Sequence, residues 1–364
     1  MLKKMDKKFL YICGALIIVP LLIILLLVLI RGCNSSITAE KYENKMLSAA
    51  KNYFKKKNTL PVSEGGVTQV SLEDLVDEKY IKNPDGYVSD NKCEGYVKVI
   101  NNGVSVKEND GGYYLYIPHL SCEKYKTVHL IDKLLEDVVT SESGLYQTND
   151  GYIYKGSKVN NYVKFADKTY RIISVDNNNI MKLVKVDSEK NRVLWDTKFN
   201  SEKNKSFGKN DYSDSNIIDV LKTRYNKFKD DQKKHLFAYN VCYGNRSESY
   251  RAVDKTKECS KILENQFVSL MSTYDFASAS YDPECTSITA GSCRNYNFIF
   301  DSIDTTWLMN GNSDNSYEVY FYSQGYIDVT RANTNKRYNM VIYLSADELY
   351  NNGKGTSDSP YVIK

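Results

Sequence analysis

Residues 9–30 contain no charged side chain, and from residue 15 onward nearly every position is Leu, Ile or Val, interrupted by Pro20. At 1.5 Å per residue such a run reaches ~33 Å, enough to cross a hydrocarbon layer of ~30 Å. A buried helix of a globular domain would show a polar face, and this run has none. Lys3, Lys4, Lys7 and Lys8 precede it and Arg31 alone follows, so the excess of positive charge puts residues 1–8 in the cytoplasm and exports what lies beyond Gly32. The expectation is a retained single-pass signal-anchor, residues 9–30, in the cell membrane, with the N-terminus cytoplasmic and the C-terminal region extracellular. A cleaved signal peptide fits less well, because the run exceeds the usual h-region of about 7–15 residues and no Ala-x-Ala-like site follows. Cys33 stands where a lipoprotein signal would end, but Arg31 occupies a place that wants a small or aliphatic residue. Cys13 reads as a small apolar residue inside the span.

The formal surplus of +4 lies in the first 31 residues, where five basic residues face Asp6 alone. The rest is formally neutral, which removes the electrostatic case for nucleic-acid binding. The chain carries 31 Tyr and only 6 Pro, a composition that argues against widespread disorder. At 364 residues it has room for two or three domains.

Beyond Cys33 the cysteines fall into sequence neighbours, Cys93 with Cys122, Cys242 with Cys259, and Cys285 with Cys293. Six cysteines allow 15 pairings. The sequential one is expected, since export brings oxidising conditions and each pair closes a local loop. No C-x-x-C spacing occurs and only three His exist, so zinc has no ligand set.

Residues 38–57 show helical periodicity, with Tyr42, Met46, Ala49, Ala50 and Tyr53 on one face and lysines elsewhere. The basic face reads as solvated, with contact to anionic lipid or wall polymers as the alternative. Leu60-Pro61 stops that helix, and Ser71-Leu72-Glu73-Asp74 opens a short one. Alternating segments around residues 95–99, 104–106 and 113–117 read as a small antiparallel sheet, turned at Asn101-Asn102-Gly103 and Asp110-Gly111-Gly112. Residues 128–139 read as a connecting helix and 140–151 as a polar linker. A further series of strands follows, with one helix over residues 214–228 and a closing strand at residues 340–344.

Two resemblances bear on this order. The membrane run, the amphipathic helix, Thr59-Leu60-Pro61 and Val70-Ser71-Leu72-Glu73-Asp74-Leu75-Val76 together resemble type IV pilin-like and pseudopilin proteins of Gram-positive bacteria. The Gly-Phe cleavage site with Glu five positions on, which filament assembly requires in that family, is missing. Residues 152–364, carried by Tyr154 to Phe165 and by Val341-Ile342-Tyr343-Leu344 with the Gly353-Lys354-Gly355 tail, resemble an uncharacterised Gram-positive surface domain and, more loosely, the C-type-lectin-like fold. The resemblances imply an α+β class: a single N-terminal transmembrane helix, a pilin-like helix with a small antiparallel sheet (37–127), a connector and linker (128–151), and a mixed β-rich lectin-like domain (152–364).

Chemistry is sparse. The lectin tripeptides that hold calcium and sugar are absent, although Asp301, Asp304 and the loop from Asn310 to Asn315 offer hard oxygens. Calcium is therefore the one cofactor left open. No Gly-x-Ser-x-Gly elbow or phosphate loop occurs, and His235 reads as solvated. Cys285 and Cys293 read as a loop staple, with a thiol pair of the formylglycine-generating type as the alternative. Tyr281, Trp307, Asn310, Asn312, Tyr320 and Tyr322 combine aromatic faces with amides, a set suited to sugar or protein recognition. The expectation is a surface binding or adhesion protein, not an enzyme, whose partners are the membrane and a cell-wall or host glycan or surface protein. The alternative is a minor pseudopilin-like subunit in a pilin-like assembly.

Overall fold

A computed structural model of the chain describes residues 36–63, 65–102 and 114–364. The expected anchor, Cys13, Cys33 and the strand at residues 104–106 lie outside these residues. The chain divides into two compact units. One comprises Gln69–Val97, Pro118–Thr127 and the residues up to Asn58; the other comprises Thr59–Thr68, Lys98–Ile117 and Val128–Lys364.

In the first unit the helix Ala39–Lys57 forms where the periodicity places it. The Thr38 hydroxyl caps it by accepting from the Lys41 amide at 3.3 Å, Lys55, Lys56 and Lys57 complement its C-terminal end, and Asn58 ends it in the left-handed region at φ 53°. Tyr42, Met46, Ala49, Ala50 and Phe54 are buried. Glu43 lies on that same buried face, and its carboxylate is satisfied by the hydroxyls of Tyr125, at 3.0 Å, and Thr127. A second helix, Leu72–Asp77, starts where the Ser71 hydroxyl accepts from the Asp74 amide at 3.0 Å. Cys93 and Cys122 are joined. Strands β1 (Val67–Ser71), β2 (Glu94–Asn101) and β3 (Tyr114–Ser121), whose residues are divided between the two units, form a sheet in the order β1-β2-β3.

In the second unit strands dominate. They are β4 (Gly144–Thr148), β5 (Gly151–Lys155), β6 (Tyr162–Phe165), β7 (Lys168–Asp176), β8 (Ile180–Lys185), β9 (Val193–Leu194), β10 (Tyr239–Cys242), β11 (Ile262–Gln266), β12 (Val268–Ser269), β13 (Thr305–Gly311), β14 (Glu318–Ser323), β15 (Tyr326–Arg331), β16 (Asn335–Lys336), β17 (Val341–Ser345), β18 (Tyr350–Asn352) and β19 (Tyr361–Ile363). Nine of them make one sheet ordered β12-β17-β8-β7-β6-β19-β18, with β5 pairing β7 and β4 pairing β5. The closing strand runs parallel to β6, Tyr361 opposite Val163, and every other pairing in this sheet is antiparallel. β17 lies between β8 and β12 and all five of its residues are buried, as a continuous apolar strand requires. A separate meander, β13-β14-β15, contributes Trp307, Tyr320 and Tyr322 to the same apolar core as Leu183 and Ile342. Trp195 and Trp307 each donate an indole N–H at 3.0 Å, to the carbonyls of Leu308 and Val193, which makes burial of both rings affordable.

Several expectations are corrected here. The α+β class gives way to a mostly β protein: apart from Ala39–Lys57, the described helices run four to ten residues. No helix among the described residues is long and apolar enough to cross a membrane, so these residues give the expected single-pass membrane localisation no support. The connecting helix shrinks to Leu130–Leu134 plus one 3-10 turn, Leu135–Asp137, because Val138 turns extended at ψ 124°. The polar linker contains β4, in full register with β5 from Gly144 opposite Lys155 to Thr148 opposite Gly151. Pairing, rather than apolar content, makes that strand.

Candidate functional site

A cleft of about 400 Å³ opens in the second unit beside β5, β7 and β8, with β10 and the segment around Cys259 opposite. Its size falls in the range of small-molecule sites. Tyr152, Tyr239 and Tyr274 are its half-buried aromatic surfaces, and Asn177, Asn178 and Asn240 add amides at the rim.

Each of these is positioned by local structure. Asp176 accepts from the amides of Asn178 and Ile180, both at 2.9 Å, and so shapes the β7–β8 turn that presents Asn177 and Asn178. Tyr239 stacks on Tyr343 with ring centroids 4.6 Å apart and planes 12° from parallel. Tyr343 is held in turn by a 2.7 Å hydrogen bond between its hydroxyl and that of Ser269. Tyr274 sits in the first turn of the helix Thr273–Ser278, whose start is a reciprocal capping box. The Asp275 amide donates to the Ser272 hydroxyl at 3.1 Å, and the Ser272 amide donates to the Asp275 carboxylate at 2.6 Å.

The electrostatics are set by a fixed ion pair. Lys182 of β8 reaches Asp275 at 2.6 Å, with the carboxylate almost fully buried. Burial first, and then the nearby carboxylates of Asp275, Asp150 and Glu258, hold the Tyr274 phenol above its ordinary pKa. Burial, followed by Asp176 and Tyr343, raises that of Tyr239. Both hydroxyls stay protonated at physiological pH, that of Tyr239 in a hydrogen bond to Asp176. Glu258, at the back of the cleft, is held by Arg246 at 2.6 Å and 3.1 Å and by the Thr273 hydroxyl at 2.6 Å. At the mouth Lys255 pairs with Asp150 at 2.5 Å. Every carboxylate is thus already engaged, and the cysteines at the wall, Cys242 and Cys259, are joined. What remains for a ligand is a set of aromatic faces, the Tyr274 hydroxyl, the Asn178 amide, and the part of the Asn177 and Asn240 amides not used in bonds to the Asn149 carbonyl and the Asn265 N–H, both at 3.1 Å.

The residues singled out from sequence lie elsewhere. Trp307, Asn310, Asn312, Tyr320 and Tyr322 are buried. The Asn310 side chain accepts from the Thr273 amide at 2.8 Å and donates to the Gly244 carbonyl at 3.0 Å, and that of Asn312 donates to Glu248 at 2.8 Å and Glu318 at 3.1 Å. These are internal braces. Tyr281 alone is exposed, beside Tyr146 with ring centroids 5.9 Å apart. Cys285 and Cys293 are joined, so neither presents a thiol. Among the described residues no cluster of three or more His, Cys, Asp or Glu could hold a metal ion. His235, read as solvated, instead bonds through Nδ1 to the buried Glu348 at 2.7 Å and 2.9 Å.

Sequence reasoning missed Tyr152, Lys182, Tyr239 and Asp275, whereas Tyr274 stood among the aromatic side chains that the sequence offers for recognition. Only the Ser-x-x-Asp capping box at Ser272 was a legible signal, and it marks a helix start rather than a cleft. No protein-family model matches the chain, and neither a curated protein nor a solved structure shows a match. Nothing in these comparisons identifies a pilin-like or C-type-lectin-like fold.

Proposed function

We propose that the chain is a binding protein of an oxidising, extracellular environment and that its cleft takes a neutral polyhydroxylated ligand, a glycan. The observation that carries this reading is the set of three half-buried tyrosine faces converging with amides around a Lys182–Asp275 pair that is already neutralised. Aromatic faces bury the apolar C–H surface of a sugar ring while the phenol hydroxyls and amides meet its hydroxyls. An internally paired ion pair supplies directed donors and acceptors without demanding a charged ligand. The three disulfides support the compartment.

The test is a glycan array followed by calorimetry on the full chain. Tyr274→Ala is expected to weaken binding of any array hit by at least about tenfold, the scale of one lost aromatic contact, with the thermal unfolding midpoint changed little. No hit at high micromolar concentration, or hits indifferent to both Tyr274→Ala and Tyr152→Ala, would reject the assignment.

A further inference from the structure

The second unit carries another concavity, a groove of about 1050 Å³ built by the start of β7, the loop after β8, the end of the helix Asn216–Tyr225 and the segment before β17. Six cations line it, Lys168, Lys185, Lys190, Arg224, Lys227 and Arg337, against three carboxylates, Asp187, Glu189 and Asp304. This local surplus stands out because the chain beyond residue 31 is formally neutral.

The groove has a fixed floor and an open rim. Glu189 uses one carboxylate oxygen for Lys185 at 2.7 Å and the other for Arg224 at 3.0 Å. Arg224 also donates to the Tyr338 hydroxyl at 2.9 Å, and the Glu189 amide donates to the Tyr338 carbonyl at 3.0 Å. One carboxylate shared by two cations leaves the floor with a net positive charge. Around it Lys168, Lys190, Lys227 and Arg337 are exposed, and none of them forms an ion pair among the described residues. Like charges brought from four separate elements to one concave mouth repel each other and focus a positive potential there. The cost is relieved when a multivalent anion enters.

We propose that this groove binds a polymer carrying repeated phosphate groups. The rim set of three lysines and one arginine suits phosphate, which lysine meets as a point charge and the arginine fork meets with paired N–H groups. Their distribution over four elements suits several linked anions rather than one.

The test uses the full chain and inorganic polyphosphate as the probe, followed by calorimetry at low and at physiological salt. Binding is expected, weakening at least about tenfold as screening rises from about 50 to about 200 mM salt. The double charge reversal Lys190→Glu with Lys227→Glu is expected to weaken it a further tenfold or more. The same reversal at Lys158 and Lys354, exposed lysines outside the groove, should leave it within about twofold. Unfolding midpoints check that all variants fold. Absence of binding, or equal loss in both double variants, would overturn the proposal. So would poly-glutamate binding as tightly as polyphosphate, which would make the partner an acidic protein. Tighter co-sedimentation with phosphatidylglycerol vesicles than binding to polyphosphate would assign the phosphate to a lipid headgroup and overturn the polymer.

Discussion

Arg246 and Glu258 are both buried, the guanidinium with no exposed surface at all. The arginine donates to both carboxylate oxygens, at 3.1 Å and 2.6 Å, and to the carbonyls of Ala252, Asp254 and Tyr250 at 2.8, 2.7 and 3.3 Å. It therefore ties a single loop, closed at its ends by the Cys242–Cys259 disulfide, into one folded piece at the back of the cleft. Glu258→Ala would leave a buried cation without its counter-charge, two of its N–H groups without acceptors, and the Thr273 hydroxyl unpaired. Breaking a buried pair in this way costs about 3–5 kcal/mol. For a unit of more than 200 residues each kcal/mol corresponds to about 2–4 °C in the unfolding midpoint, so a fall on the order of 10 °C is expected in calorimetry, with a matching shift in urea. The double variant Arg246→Leu with Glu258→Leu removes both charges and both desolvation costs, and should recover most of the loss. A loss under about 1 kcal/mol for the single variant, or a double variant no better than the single, would refute the claim that this pair is desolvated and mutually dependent.

Two further outcomes follow from the same reasoning. Burial works against a charged His235, but the hydrogen bond and charge of Glu348 outweigh it and raise the imidazole pKa, while burial raises that of Glu348. Both folded-state values lie above their unfolded ones, so the linked stability is greatest in acid and is lost as pH rises through the raised imidazole pKa. The urea midpoint should fall as pH rises above the ordinary imidazole value of about 6.5, and less so in His235→Asn; an unchanged slope would show that the pair does not titrate there. Replacing Cys242 and Cys259 by serine reopens a loop of 17 residues, for which chain entropy gives a loss of about 3 kcal/mol. Because that loop backs the cleft, glycan affinity should fall as well; retained affinity at reduced stability would place the binding determinants elsewhere.

Local chemistry determined the parts that local sequence can determine. The helix Ala39–Lys57 follows from apolar spacing, a Thr cap and basic residues at its end, and the short helix after Ser71 follows from a hydroxyl three residues ahead of a carboxylate. The three disulfides were readable because each joins near neighbours, where loop closure is cheapest. Contacts between distant segments decided the rest. Residues 144–148 carry a weak apolar pattern and became a strand only through pairing with β5. Trp307, Asn310 and Tyr322 have the side chains of a recognition surface, yet they lie in strands covered on both faces and serve as core and braces. The tyrosines of the cleft come from Tyr152, Tyr239 and Tyr274, on three unconnected elements. The cations of the groove range from Lys168 to Arg337 in a chain that is formally neutral beyond residue 31. A charge count or a residue type is a property of the chain, whereas a cleft is a property of which distant backbones share hydrogen bonds, and only the folded sheet order specifies that.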